Sequence, residues 1–574
     1  MKYENYDEVM GYAKGVCDGR IIANEYRIKA CKRFLDDLEN DVYDFRPKLP
    51  ERIIMIIEST ICHMKGEDLS GKPLRGTPFL LMPFHKFIVY NLFGFWFAGT
   101  EKLKYNEALI FIPRKNVKTS FAAALAWAAG LVFSDSGSTI YLTAAALKQS
   151  LQSFNFLNYN VKNMGEDDRF RIIDNNNEHS ISGEVGENGF LEIIALAANP
   201  DEQDSFGCNF AIADEIHAFK KTKQYTLFKD AMKSYTNKMM IGISTAGDDA
   251  NGFLAYHVEY CKGVLDGKYK NDRIFAFICE ADQVVKDGKS MIDLLDPVTH
   301  EKANPAYGVS IRPDELMEDA KQAMANPKLR TEYMNKSLNV FTASMDAYFD
   351  RAAVQASDEK YSWTLEELAK LPIEWYGGAD LSKRWDLSGT ALHGRYQDVD
   401  IAITHGFIPV LQARKKAEED NIPFFWWEES GWLTLCNSEI IEMEDPVKWF
   451  ISMRKMGFKI KWVGYDRRYS REFVMKMKKE KFKVRDQSQR YVEKTEAFRE
   501  IENKIIRQKF YYLGNKAFEY CIGNVKAIED SDDFVRFQKI LPTRRIDLFD
   551  ADVIAVKQML IGEEKKDKLK GWTK

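Results

Sequence analysis

Ile110-Phe111-Ile112-Pro113-Arg114-Lys115-Asn116-Val117-Lys118-Thr119-Ser120 decides the fold. An apolar strand here ends in a Lys-Thr pair that opens a helix, the layout of a nucleotide-phosphate loop. Such a loop works because backbone N–H groups and a helix N-terminus converge on the anion, while the Lys ammonium reaches the outer phosphates and the hydroxyl holds Mg2+. Both glycines of the G-x-x-x-x-G-K-[ST] pattern are missing, with Ile112 and Val117 in their places. A β-branched residue before the Lys conflicts with a backbone at positive φ, so the sequence predicts a loop reshaped to tolerate Val117. Ala108 to Ile112 reads as a strand, Ser120 to Phe133 as an Ala-rich helix, Thr139 to Thr143 as a strand and Ala146 to Val161 as a helix. Strand, helix, strand, helix predicts a mainly parallel sheet of the α/β class.

Farther along, the strand Asn209–Ala213 carries Asp214-Glu215 at its end. An Asp there can hold the Mg2+ shell while the Glu orients and deprotonates an attacking water, as phosphoanhydride hydrolysis requires. A solvated acidic turn would read the same way, but the Lys-Thr loop about a hundred residues earlier favours the chemistry. A third strand, Met239–Ile243, ends in Ser244-Thr245-Ala246-Gly247, small residues at the sheet edge where ligands bind.

The chain of 574 residues exceeds one hydrophobic core. Its 45% hydrophobic and 29% charged composition contains no bilayer-length apolar run, and its beginning shows no secretory signal, so a cytosolic protein is expected. The eight cysteines include no C-x-x-C pair, which leaves neither a zinc site nor a disulfide framework indicated. A formal net charge of -4 excludes a uniformly basic nucleic-acid coat but not a local basic groove.

The first fifty residues have helical spacing, and an apolar helix runs to Phe95 after Phe84-His85. From about Gly252 to Tyr348 the chain reads as a connection between two domains, with a long helical stretch from Pro313 to Asn339. Beyond it lie three acids from distant segments. Asp380 ends a strand whose hairpin partner is Ser388–Tyr396, Asp466 ends another strand, and Asp547 begins the apolar helix Leu548–Leu560 with Asp550 one turn later. Burying carboxylates is costly unless they pair or bind metal. Three from separate elements match a two-metal phosphodiester hydrolase, in which hard ions take oxygen ligands. Lys383 and Arg384 after Asp380, and Arg467, Arg468 and Arg471 after Asp466, suit a DNA backbone or a solvated charged face equally.

The order PFLLMPFHKFIVYNLFGF, IPRKNVKTSFAAALA, DSFGCNFAIADEIHAF, IGISTAG, KANPAYG, KSLNVF, GGADLSKRWDLSGTAL, FYYLGNKAFEYCIGNV and RRIDLFDADVIAV resembles the large subunit of a tailed-phage terminase, from about residue 78 to about 556. The resemblance implies an α/β P-loop NTPase that translocates double-stranded DNA, joined to a ribonuclease H-like nuclease that cuts concatemers. It implies ATP and Mg2+, with Mn2+ an alternative at the nuclease. Arg114, Lys115, Asn116, Lys118, Thr119 and Ser120 are the implied phosphate loop. Thr119 and Asp214 would hold metal, Glu215 would be the base, and Ser244 and Thr245 the element coupling hydrolysis to movement. His85 falls where an adenine-reading residue is expected. Asp380, Asp466 and Asp547 are the implied nuclease ligands, with Asp550 sharing or replacing Asp547 and Asp386 in a supporting role.

The expected organisation is a helical segment over 1–75, an ATPase core over 76–250, its periphery and linker over 251–345, the nuclease over 346–560 and a basic tail over 561–574. Expected partners are DNA, a portal protein and a small terminase subunit, with a homo-pentamer on the portal, a monomer in solution and no membrane. The expected place is the cytoplasm of the infected bacterium, not the mature virion. A repair-type ATPase with an appended nuclease, or a DNA-binding scaffold whose loop has decayed at Val117, are the competing readings.

Overall fold

The computed structural model describes residues 3–572 other than 167, 200–206, 248, 250–251, 287–288, 342–346, 383–386, 421, 468–469, 489, 530–533 and 542. Lys383, Arg384, Asp386 and Arg468 therefore lie outside the described residues. The chain divides into two compact units, Met1–Asp282 with Ile292–Thr342, and Gln283–Met291 with Ala343–Lys574. Most of the stretch that reads as a connection thus folds within the first unit.

The first unit is built on eight strands: β1 Glu107–Phe111, β2 Ser138–Ala144, β3 Phe170–Asp174, β4 His179–Val185, β5 Gly189–Ala197, β6 Phe210–Asp214, β7 Met239–Ser244 and β8 Ile274–Ile278. They lie in the order β8-β1-β7-β6-β2-β5-β4-β3. Pairing is parallel from β8 to β5, and antiparallel only where β4 joins β5 and β3. Every residue of β1, β6 and β7 is buried, because helices cover both faces of a parallel sheet and the strands become unbroken apolar runs. The α/β class is as the sequence predicts. The antiparallel pair β3–β4 was not legible, since Arg171, His179, Ser180 and Glu184 interrupt its apolar alternation.

The helix after β1 spans Lys118–Val132, and its Ala-rich sequence lets it lie close against the sheet. Three helices before it, Glu4–Cys17, Glu25–Leu38 and Lys48–Thr60, send Val9, Phe34 and Ile54 into the same buried cluster as Ile110 and Leu125. The stretch from Pro313 is two helices, Pro313–Ala325 and Pro327–Ser337, rather than one. The break follows from Pro327, which disfavours helical backbone at Asn326.

In the second unit, β9 Glu374–Asp380, β10 Ser388–Tyr396, β11 Val399–Pro409, β12 Leu433–Cys436, β13 Lys459–Asp466, β14 Val484–Gln487 and β15 Phe510–Tyr511 form one sheet. Its order is β12-β11-β10-β9-β13-β14, with β15 alongside β11. β9, β10 and β11 form an antiparallel meander, while β13 joins β9 in parallel. The closing helix runs from Asp547 to Trp572, longer than its apolar pattern to Leu560 suggests. Two glycines admit it to the sheet. A Cβ at Gly378 would lie 2.0 Å from the Ala551 carbonyl oxygen, and one at Gly389 would lie 2.4 Å from that of Asp547. Among the described residues no helix is long and apolar enough to cross a membrane.

Backbone cannot yield as a flexible side chain does, so Gly378→Ala is expected to cost the second unit at least about 1–3 kcal/mol and to displace Asp547 from Asp380. Thermal unfolding checks the first effect and DNA cleavage the second.

Candidate functional site

β1, β7 and β6 run parallel as neighbours, so their carboxyl ends share one edge of the first sheet. That edge gathers Lys118 and Thr119 after β1, Asp214 and Glu215 at the end of β6, and Ser244 and Thr245 at the end of β7. Thr119 Oγ1 donates to Asp214 Oδ2 at 2.9 Å. Lys118 Nζ donates to the Ile112 carbonyl oxygen at 3.3 Å and lies 3.7 Å from Glu215 Oε1. Thr245 Oγ1 donates to Glu215 Oε2 at 3.4 Å.

The two adjacent carboxylates are driven apart. Burial, helped by the Glu215 charge, pushes Asp214 above its ordinary pKa. Burial also pushes Glu215 upward, but a hydrogen bond from His217 and the charges of Lys118 and Lys336 outweigh it and hold Glu215 at about 2. Burial pushes the Lys118 ammonium down, against the pull of Glu215 and Asp214. Oxygen donors on Thr119 and Asp214, beside a buried lysine, suit a hard cation bridging to phosphate.

Val117 sits at φ 60° and ψ 22°, the left-handed backbone that glycine favours. The loop keeps this bend rather than being reshaped around the side chain, which packs half-buried against the core beside it. Lys115 and Glu215 are also left-handed, at φ 64° and 52°. Such conformations persist where the surroundings over-determine them, and here the support comes from 304–339. Asn116 Nδ2 donates to Asn304 Oδ1 at 2.9 Å, and its Oδ1 accepts from the Ala306 N–H at 3.1 Å. Ser310 Oγ donates to the Lys115 carbonyl oxygen at 2.9 Å. Asn116 is thus a buried strut, whereas the Arg114 side chain is 54% exposed beside Glu332. Ser120 is half-buried in the first helical turn.

His85 is not positioned as a nucleobase contact. It is 1% exposed, its Nδ1 accepts from the Met82 N–H at 3.4 Å, and its ring stacks on Phe121 at 4.4 Å. Burial pushes its pKa down to about 3, leaving a neutral ring that caps the helix Pro83–Gly94 from inside the core. A position in sequence before the loop carries no information about which way the ring turns.

Asp380 and Asp466 end the neighbouring strands β9 and β13, whose register pairs Ala379 with Tyr465. Asp547 begins the helix that closes over β9 and β10. Asp380 is raised well above the carboxylate range by desolvation, then by Asp550, Asp547 and Asp466, with Lys494 acting in the opposite direction. Asp550, the strongest of these charge neighbours, also pairs with Lys494, whose Nζ lies 2.5 Å from its Oδ1. Asp466 opens onto a cleft of about 880 Å³ lined also by Arg467, Asp486, Gln487, Ser488, Arg490 and Glu493. Among the described residues no group of three or more His, Cys, Asp or Glu side chains is already drawn together around a metal position. The crowded oxygen donors still suit a hard cation, with water and substrate phosphate as remaining ligands.

Beneath this cluster, buried His393 on β10 joins Asp552 of the closing helix at 2.9 Å and Asp400 of β11 at 3.2 Å. Burial pushes His393 down, yet the two carboxylates outweigh it and raise its pKa to about 9. This ion pair fixes the rotation of the helix that carries Asp547. Sequence reading missed Lys494, His393, His217, Lys336, Asn304 and Asn339. Lys494 looks like one more surface charge in Tyr491–Ile506, and Lys336 reaches His217 across a sequence separation of 119 residues.

Two family models match the chain: terminase large subunit, ATPase domain, over residues 83–263, and terminase large subunit, endonuclease domain, over residues 268–563. The endonuclease match begins ahead of Ile292–Thr342, which fold with the first unit. Protein YmfN of Escherichia coli (strain K12) is 26% identical over 373 residues, covering 62% of this chain and 79% of that protein. The terminase large subunit of Enterobacteria phage HK97 is 24% identical over 391 residues, covering 67% of this chain and 70% of that protein. The crystal structure of the HK97 bacteriophage large terminase aligns with a TM-score of 0.45 at 20% identity, covering 89% of this chain and 99% of that one. With matches to both domains, the endonuclease model alone spanning half its length, the chain belongs to the terminase large-subunit family, the ATPase-endonucleases of phage DNA packaging.

Proposed function

We propose that the first unit hydrolyses ATP at the edge formed by β1, β6 and β7 to drive double-stranded DNA into a procapsid, and that the second unit cuts concatemeric DNA at Asp380, Asp466 and Asp547. The observation that carries the ATPase reading is the Thr119–Asp214 hydrogen bond with Lys118 beside Glu215. Lys118 binds the outer phosphates, with the backbone N–H groups of the loop completing the anion site. Thr119 and Asp214 would hold Mg2+, which would supply charge neutralisation for the transferred phosphoryl group. Glu215 stays ionised and orients the attacking water, and the phosphate charge raises its proton affinity as the reaction proceeds. Arg114, exposed at the loop, and Ser244 with Thr245, which adjoin Glu215, are the groups proposed to respond to the γ-phosphate.

For the nuclease, Asp547 is proposed as the third ligand, with Asp550, paired to Lys494 in the same cluster, sharing or replacing it. Mg2+ or Mn2+ would stabilise the attacking and leaving oxygens, while Arg467 and Arg490 line the cleft on the side where a DNA backbone would lie. The partners proposed are a portal protein and a small terminase subunit, with a pentamer working at the portal in the cytoplasm of the infected bacterium. A scaffold with a decayed loop has no need for Lys118, Thr119, Asp214 and Glu215 to converge.

Glu215→Ala is expected to lower ATP turnover by about 10²–10⁴-fold and leave DNA cleavage intact, as paired ATPase and nuclease assays would reveal. Asp380→Ala should do the reverse, abolishing cleavage while ATP hydrolysis continues, and persistent cutting would contradict the metal-site assignment. At the loop, Val117→Gly relieves about 1–2 kcal/mol of backbone strain but loses similar packing and chain-entropy terms. Stability should therefore change little while ATP turnover rises. Unchanged ATP affinity and rate would mark Val117 as neutral.

A further inference from the structure

The proton inventory around His217 is fixed by Ser244. The Ser244 hydroxyl donates to the Thr245 carbonyl oxygen at 2.9 Å, which leaves its oxygen to accept. It accepts from the His217 backbone N–H at 3.1 Å and faces Nδ1 at 3.2 Å. The other neighbour of Nδ1 is Glu215 Oε2 at 3.0 Å, a carboxylate oxygen that only accepts. Nδ1 therefore carries a ring proton, and Nε2, which faces the donor-only Lys336 ammonium, is placed to accept. Lys336 Nζ lies 3.4 Å from Nε2 and donates to the Ala246 carbonyl oxygen at 2.9 Å. The result is a line of donors, Lys336 to His217 to Glu215, that ends on one carboxylate oxygen.

Lys336 belongs to the helix Pro327–Ser337, and its carbonyl oxygen accepts from the Arg114 N–H of the phosphate loop at 2.9 Å. Three residues on from Lys336, Asn339 accepts from the Ala246 N–H at 2.7 Å and donates to the Cys279 carbonyl oxygen at 2.8 Å. The segment is thus anchored to the phosphate loop, to the end of β7 and to the end of β8. We propose that His217 and Lys336 are positioning residues for Glu215, and that the helix Pro327–Ser337 governs ATP hydrolysis through them. The proposal rests on Glu215 as the group that orients the attacking water. With Lys336 in place the His217 ring is locked and the carboxylate is aimed. When the helix shifts, the ring turns and the carboxylate loses the His217 donor, keeping only the longer contacts from Thr245 and Lys118, so hydrolysis waits on the position of this helix while nucleotide binding does not.

Steady-state ATPase kinetics of the full chain, with binding of a fluorescent ATP analogue measured in parallel, test this on His217→Ala, His217→Gln, Lys336→Met, Lys336→Arg and the His217→Ala/Lys336→Met pair. The expected result is a kcat about ten- to a hundredfold lower in His217→Ala and Lys336→Met, with KM and the analogue's Kd unchanged. His217→Gln and Lys336→Arg should recover part of the loss. Because Lys336 acts through His217, the double variant should be no slower than His217→Ala by more than about twofold. Full kcat in His217→Ala, a loss confined to analogue affinity, or effects that multiply in the double variant would overturn the proposal. Glu215→Ala in the same assay separates the two claims: turnover retained there refutes the reading of Glu215, whereas an inactive Glu215→Ala beside a fully active His217→Ala refutes the relay alone.

Discussion

Parallel register across β1, β7 and β6 is the constraint from which the ATPase site follows. Hydrogen bonding pairs Phe111 with Ser244 and Asp214 with Ile243, so the strands end level with one another. A parallel sheet directs every carboxyl end to the same edge, and residues that follow those ends must meet there. Lys118, Thr119, Asp214, Glu215, Ser244 and Thr245 come from three separate stretches of chain, yet need no further device to be brought together. What does need a device is the backbone between them. Left-handed conformations at Lys115, Val117 and Glu215 are held by Asn116 of the loop itself and by Asn304, Ser310 and Lys336 of the covering segment 304–339.

The nuclease depends on a different constraint, close approach of a helix to a sheet. Gly378 and Gly389 remove the side chains that would hold the closing helix away, and the buried His393–Asp552 pair sets its rotation. Burial, and then repulsion from the carboxylates crowded beside it, raises Asp380 well above the carboxylate range. Lys494 relieves part of that repulsion by engaging Asp550. Strand ends, helix start and buried lysine together define a site with an excess of oxygen donors, the condition a hard cation relieves.

Most of this was legible where function sits on local pattern. An apolar run followed by Lys-Thr, by Asp-Glu or by a lone Asp reports both a strand and the residue after it, so the placement of Thr119 at the helix start and of Asp214, Glu215, Asp380 and Asp466 at strand ends could be read directly. Contacts made across long separations were not legible. Nothing near Lys336 or His217 says that they touch, and Lys494 has the spacing of a solvated helix face. His85 illustrates the opposite error: its place in the chain suggested a ligand contact, while packing against Phe121 turned it into the core. Val117 is informative for the same reason. Sequence alone predicted a changed loop, whereas the support behind the loop keeps the bend and lets the side chain pack.

The central claim is that the ends of β1, β6 and β7 form one phosphate-handling site despite Val117. A structure of the full chain with a non-hydrolysable ATP analogue and Mn2+ tests it most directly. The account predicts the outer phosphates between Lys118 Nζ and the helix N-terminus, a metal beside Thr119 and Asp214, Glu215 facing the γ-phosphate, and Val117 still left-handed. A nucleotide bound away from this edge, or a loop that has abandoned the bend at Val117 to admit it, would contradict the account.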